Sequence, residues 1–402
     1  MAVGTTTEHV TLARRAARLA TTRPAPEPAD VISLGSGHGF PGVFPDLTEM
    51  AQKALTTFRP ETLQYGIALG MPEMRSWIAG YMKENGLDVS ADNVLVVNGA
   101  KHGLDLICRL LLDEGDSVVV TAPTYFTCIP IFKTFGVDFI EVSQDAEGLV
   151  VSELSDTLER RKRAGQSMPK LIYDVPDYHN PSGVTMSSER REALVELADA
   201  QGIYIVEDSP YRRVRFDGEQ EPMVKLFDRG DTVFVLGTFS KLVAPGLRIG
   251  WVVTSKEMVA RLSYLKSDAG SCPLTQRIIV EFCKAGLLPA HTKLVQDTYR
   301  KHRDAMVDAL RRELPEISFT VPRGGYYLWL TLPPGIDSDK LAERGLQEKV
   351  GIISGTKFFA GPGPKGTGAP KNYIRVCYSH ATLEEINESI QRLARAMRSM
   401  NR

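Results

Sequence analysis

TVFVLGTFSKLVAPGLRIGWVV (232–253) holds two short apolar runs on either side of a polar turn. Just upstream, GIYIVEDS (202–209) is a third run, and it ends in acids. Working outward, NVLVVNG (93–99), DSVVVTAP (116–123), VDFIEV (137–142) and PKLIYDVP (169–176) repeat the pattern. Val/Ile/Leu runs this continuous mark strands buried on both faces, and helical stretches lie between them. SSERREALVELADAQG (187–202) is such a spacer, with a Ser at its start, apolar Leu194, Leu197 and Ala198, and a closing Gly. The expected fold is α/β, a mostly parallel central sheet flanked by helices. After about residue 285 the texture changes. A long helix over about 287–313, a strand in GGYYLWLTLP (324–333), a helix near 338–347, a strand in KNYIRVCYS (371–379) and a helix from TLEEINESIQRLARAM predict a distinct α+β unit.

Composition bounds the function. The chain has 402 residues, 43% hydrophobic and 24% charged, which argues against extensive disorder. Lys+Arg 48 against Asp+Glu 49 leaves a net charge of −1, so no basic footprint for nucleic acid is present. No apolar run reaches the ~18–20 residues that span a bilayer. The five cysteines (Cys108, Cys128, Cys272, Cys283, Cys377) are scattered without C-x-x-C or zinc spacing, so a reduced, cytoplasmic protein with no metal site is expected. VTLARRAARLA (10–20) reads as an ordinary N-terminal helix in preference to a transit peptide, and TRPAPEPAD (22–30) as a connector. RRKR (160–163) reads as cations closing a helix.

Two strand ends carry chemistry. Asp208 ends IYIVED and Lys241 follows VFVLGTFS, and in open α/β sheets the ligand crevice lies outside such ends. Singly, Asp208 before Ser-Pro is equally a turn residue and Lys241 a solvated lysine. Thr238, Ser240 and Arg248 add two hydroxyls and a guanidinium, a good phosphate receptor. Upstream, Asn98-Gly99-Ala100 ends a strand and opens a helix, whose N-terminus also favours an anion. A phosphate site, a nucleophilic amine and a buried carboxylate together fit pyridoxal 5′-phosphate.

With those residues in view, the sequence resembles the fold-type I, class I/II aminotransferases, in the pattern of the 2-aminoadipate and aromatic aminotransferase branch. The matching motifs run in order: LQYG (63–66), NGA (98–100), PTYF (123–126), YHNPSG (178–183), EDSPY (207–211), GTFSK…APGLRIG (237–250), RGGYYLWL (323–330) and NYIRVCYS (372–379). The resemblance implies a pyridoxal-phosphate enzyme that exchanges the amino group of an α-amino acid with a 2-oxo acid. It implies a large domain at 46–290, and a small domain of 1–45 plus 291–402 that closes over the site.

Residue by residue, Lys241 resembles the family's Schiff-base lysine and Asp208 the partner of the pyridine nitrogen. Tyr211 and Asn180 resemble the donors to the ring's phenolic oxygen, and Tyr125 the aromatic stacked on the ring. Gly99, Ala100, Lys101, Thr238, Ser240 and Arg248 fall at phosphate-cup positions. Tyr65 resembles the tyrosine that reaches the phosphate from a second subunit, which implies a homodimer with sites at its interface. Arg375 resembles the arginine that forks onto the substrate's α-carboxylate, while Gly37, His38 and Asn180 fall at substrate-facing positions.

The chain departs from the family in places. Ala100-Lys101 stands where Ser-Gln is usual, Ser36-Gly37-His38-Gly39 where Gly-Gly-Leu-Pro is usual, and His179 where Gln is often found. ISGTKFF (353–359) lacks the usual Pro-Gly. These changes keep open a second outcome on the same cofactor: elimination, replacement at the β- or γ-carbon, or oxidation. His38 and His179 are candidate substrate contacts or acid/base groups, although a single His in a loop is more often structural. GHGFPG (37–42) and GPGPKG (361–366) satisfy a dinucleotide motif, but neither has the strand–turn–helix context it requires. A DNA-binding regulator built on this fold is disfavoured by the neutral charge.

Overall fold

A computed structural model describes residues 12–19, 27–364 and 366–400. Its centre is an eight-stranded sheet in the order Val94–Val97, Gly250–Val253, Val233–Thr238, Tyr204–Asp208, Leu171–Asp174, Ser117–Ala122, Asp138–Asp145, Gly148–Leu149. The neighbours from Val233–Thr238 to Asp138–Asp145 run parallel. Gly250–Val253 is antiparallel to both of its neighbours, and the edge hairpin is antiparallel too, so the sheet is mixed. Every residue of Ser117–Ala122, Leu171–Asp174 and Val233–Thr238 is buried, as expected where helices cover both faces.

Local signals set the spacers. Ser187 accepts from the Arg190 N–H at the start of Ser188–Gln201, and Gly202 closes that helix in the left-handed conformation. Helix Val151–Arg163 carries all four RRKR cations in its last turn. Of the helix expected over 10–20, Arg14–Arg18 form a 3-10 turn. Residues 10, 11 and 20, and connector residues 22–26, lie outside the described residues.

The second half of the chain builds a three-stranded antiparallel sheet, Tyr327–Thr331, Tyr373–Cys377 and Ile353–Ser354, with helices Leu288–Glu313, Ser338–Gln347 and Leu383–Met400. The N-terminal strand Ile32–Ser33 pairs in parallel with Val350–Gly351. Beyond it, Cys377 N–H donates to Leu34 O at 2.7 Å, so residues 32–40 are seated on the C-terminal strands.

The turn after Leu171–Asp174 is held by buried charge. Asp177 receives Arg191 Nη2 at 2.8 Å and Arg212 Nη1 at 3.0 Å, and Arg191 also donates to Pro176 O and Met186 O. The cations hold the Asp177 carboxyl below its usual range although burial opposes them. Asp177→Ala would leave two buried guanidiniums without their acid. A loss of about 3–5 kcal/mol is expected in denaturant unfolding.

No helix among the described residues is long and apolar enough to cross a membrane. Among them, no group of three or more His, Cys, Asp or Glu side chains is placed to hold a metal ion.

Candidate active site

Parallel register brings the chemistry to one face. Tyr173 aligns with Val206, two residues before Asp208 and on the same face; Asp208 aligns with Leu236, two before Thr238. Tyr173, Asp208 and Thr238 therefore lie on one side of the sheet at its carboxyl edge. A cavity there is lined by Ala100, Lys101, Tyr125, Asn180, Asp208, Tyr211, Thr238, Ser240, Lys241 and Arg248.

At the cavity's floor, Tyr173 O–H donates to Asp208 Oδ2 at 2.7 Å. Asp208 Oδ1 is buried with no partner. Burial pushes this carboxyl up to about 6, against the Tyr173 hydrogen bond. Burial also pushes the Lys241 ammonium down to about 8, with Arg375 and Arg248 adding to the effect. Lys241 Nζ donates to Gly37 O at 2.7 Å and sits 4.9 Å over the Tyr326 ring. Tyr211 O–H donates to Tyr327 Oη at 3.2 Å.

The anion-facing end is backbone and hydroxyl. Helix Ala100–Leu111 begins at Gly99 with no side-chain cap, so its first-turn N–H groups face the cavity's end with the positive pole of the dipole. Arg248 Nη2 donates to Asn98 O at 3.1 Å, laying its guanidinium along this turn. Thr238 Oγ1 donates to Ser240 Oγ at 2.9 Å. Gly99 has φ +85°, and a Cβ there would stand 2.5 Å from Arg248 Nη2. Gly99→Ala should therefore weaken cofactor affinity about tenfold or more, measured by titrating the apoprotein.

Arg375 is held over the cavity from the C-terminal sheet. Nη1 donates to Asn180 Oδ1 at 2.9 Å and Nη2 to Gly35 O at 2.5 Å, with the Tyr327 ring 4.2 Å below the guanidinium. Its Nε and the Asn180 Nδ2 are buried without partners.

Three sequence candidates, Tyr65, His38 and His179, stand apart from this cluster. Tyr65 is 84% exposed, outside its own chain's cavity. His38 packs edge to face against His380 and is not among the residues lining the cavity, and Gly37 contributes only its carbonyl, to Lys241. For His179, the structural alternative holds. It is 1% exposed, bonded to Thr121 Oγ1 and Ser182 Oγ at 3.0 Å each, and placed near Asp174 rather than in the cavity. Lys101 lines the cavity from an exposed position. Sequence reasoning missed Tyr173 and Tyr327. Alternation would have placed Tyr173 beside Asp208 once the two strands were paired.

The orphaned atoms match one ligand shape. Asp208 Oδ1 lacks a donor, Asn180 Nδ2 lacks an acceptor, and the Gly99 turn can admit an anion. A flat ring with a protonated nitrogen, a phenolic oxygen and a phosphate tail supplies all three, and these residues fit pyridoxal phosphate.

The comparisons agree. Residues 29–393 match the family described as aminotransferase class I and II. Aromatic-amino-acid aminotransferase 1 of Thermococcus litoralis is 34% identical over 378 residues, 92% of this chain and 89% of that protein. The Pyrococcus horikoshii kynurenine aminotransferase structure, in complex with PMP, superposes with a TM-score of 0.87 at 34% identity, covering 93% of this chain and 92% of that one. LysN, the α-aminoadipate aminotransferase of Thermus thermophilus complexed with N-(5′-phosphopyridoxyl)-L-leucine, superposes at 0.85 with 30% identity, covering 93% of each chain. The chain belongs to the class I and II aminotransferases. It has their fold-type I architecture, uses pyridoxal phosphate, and exchanges an amino group between an α-amino acid and a 2-oxo acid. These findings support that transfer rather than the elimination, replacement or oxidation alternative.

Proposed function

We propose that Lys241 is the residue that binds the cofactor covalently and takes the proton from the substrate's α-carbon. The observation that carries this is the convergence, around one amine, of an unpartnered Asp208 Oδ1 and an unpartnered Asn180 Nδ2. When bound, pyridoxal phosphate supplies an aldehyde for the amino group and an electron-withdrawing ring. Asp208 holds the proton on the ring nitrogen, and Tyr173 holds Asp208. Asn180 Nδ2, and the Tyr211 hydroxyl once turned from Tyr327, would donate to the phenolic oxygen, and Tyr125 would cover one ring face. The Gly99–Lys101 turn, Thr238, Ser240 and Arg248 bind the phosphate. Incubation with an amino acid should yield stoichiometric 2-oxo acid by mass spectrometry, with no free ammonia. Ammonia release would overturn the reading.

Arg375 orients the substrate by its α-carboxylate, which suits a planar guanidinium fork. Arg375→Lys keeps the charge and loses the fork. It should raise KM for the amino acid about ten- to a hundredfold, with a smaller change in kcat. The rings of Tyr327, Phe126 and Phe358 around Arg375 support donors with large side chains. The relatives named for aromatic amino acids, kynurenine and α-aminoadipate agree.

The exposed Tyr65, flanked by exposed Leu63 and Ile67, supports a homodimer in which this segment completes the partner's site. Sedimentation should give twice the chain mass. The large domain is 46–290, and the small domain of 1–45 and 291–402 closes on substrate. The unpaired cysteines, Cys108, Cys128 and Cys377 among them buried, support a reducing cytoplasmic setting.

A further inference from the structure

Antiparallel pairing puts one tyrosine between the two halves of the site. Trp329 aligns with Arg375 and Tyr327 with Cys377, so Tyr327 and Arg375 are diagonal neighbours on one face of the C-terminal sheet. The guanidinium lies 4.2 Å from the Tyr327 ring centroid. At its far end the Tyr327 hydroxyl meets the Tyr211 hydroxyl at 3.2 Å, and the two rings stand edge to face with centroids 5.9 Å apart. Both side chains are buried.

The Tyr327 hydroxyl is walled in. A Cβ on Gly37 would stand 2.2 Å from it, so the backbone of Gly37, whose carbonyl takes the Lys241 amine, closes that side. One hydrogen is left over in this packing. Tyr211 donates and Tyr327 accepts in the bond between them, and among the described residues the hydrogen of Tyr327 itself has no acceptor. A buried donor without a partner is costly. If Tyr211 turns its own hydrogen away, its oxygen becomes the missing acceptor.

The bound cofactor gives Tyr211 a reason to turn. An ionised phenolic oxygen accepts a bond about twice as strong as a neutral hydroxyl does. Arg375 helps the other member of the pair. Burial raises the Tyr327 phenol above its usual range and the Arg375 charge opposes the rise, which makes this hydroxyl a better donor than its depth alone allows.

We propose that Tyr327 is a positioning residue for the cofactor: in the loaded site its hydroxyl donates to the Tyr211 oxygen and strengthens the bond from Tyr211 to the phenolic oxygen. The inference rests on the placing of Tyr211 given above. It gives the Tyr327 hydroxyl a task separate from that of the ring, whose face carries Arg375. Bonds in such a chain polarise one another, by about 10–30% per bond.

Spectrophotometric pH titration of the holoenzyme tests this. A donor to the phenolic oxygen favours its anionic form, so it lowers the pH at which the covalently loaded site loses its proton and the visible absorbance changes. Tyr327→Phe keeps the ring under Arg375 and removes only the hydroxyl. The midpoint should rise by about 0.2 pH unit or more, at least about 1.6-fold in proton affinity. A smaller rise overturns the proposal. So does a fall, which means that Tyr327 competes for the Tyr211 hydrogen in the loaded site. In a Tyr211→Phe background, adding Tyr327→Phe should move the midpoint no further. A shift that persists there comes from packing and also overturns the proposal. The single Tyr211→Phe variant separates the two readings. If it leaves the wild-type midpoint in place, the placing of Tyr211 on the phenolic oxygen fails; if it raises the midpoint and Tyr327→Phe does not, only the role of Tyr327 fails.

Discussion

Lys241→Ala is expected to lose at least about a thousandfold in turnover and to yield no covalent cofactor adduct after borohydride treatment. Intact-mass measurement checks the second point without an assay. The substitution removes an amine whose charge burial already disfavours, so the chain should keep its fold, and circular dichroism should be unchanged. The depressed Lys241 value gives this prediction a pH signature. An amine at about 8 is neutral in roughly a tenth of molecules at pH 7, whereas an ordinary lysine near 10.5 is neutral in about one in three thousand. Only the neutral amine attacks an aldehyde. Covalent loading of the apoprotein should therefore rise about tenfold per pH unit below about 8 and level off above it. A rise that continues past a pH of about 10 would contradict the assignment.

Asp208→Asn should reduce turnover by about a hundred- to a thousandfold while cofactor affinity falls much less. Burial raises this carboxyl to about 6 even against the Tyr173 hydrogen bond. A protonated ring nitrogen against Oδ1 favours the ionised form and brings the value down. Asparagine keeps the size and the Tyr173 contact but gives up the charge that holds the proton on the ring. Because the buried charge is costly until the ring arrives, the apo variant should melt no lower than the wild type. Tyr173→Phe tests the same axis from behind. It removes the hydrogen bond at 2.7 Å and should cost about tenfold or more. If Asp208→Asn and wild type turn over alike, the pyridine partner is some other group.

Much of this site was legible before any coordinates. The apolar runs located the strands because a strand covered on both faces has no polar side to blur its pattern. Lys241 and Asp208 stood out because each follows such a run. What stayed hidden depended on register or on distance. Tyr173 reads as a core aromatic until Leu171–Asp174 is laid beside Tyr204–Asp208. His179 beside Asn180 in sequence reads as a neighbour of the ligand, yet its side chain turns into a buried polar cluster with Thr121 and Ser182. The antiparallel Gly250–Val253 was also missed, because a four-residue run carries no information on direction.

The way residues 32–40 are seated on the C-terminal strands has a consequence for biosynthesis. Arg375 and the Gly35 carbonyl it binds are 340 residues apart in sequence. At roughly 5–20 residues per second of translation, the first of these leaves the ribosome well before its partner exists. The growing polypeptide thus carries an orphaned amino-terminal ribbon beside a largely formed central sheet, and catalytic competence arrives late, when the tail emerges and the two ends are stitched together.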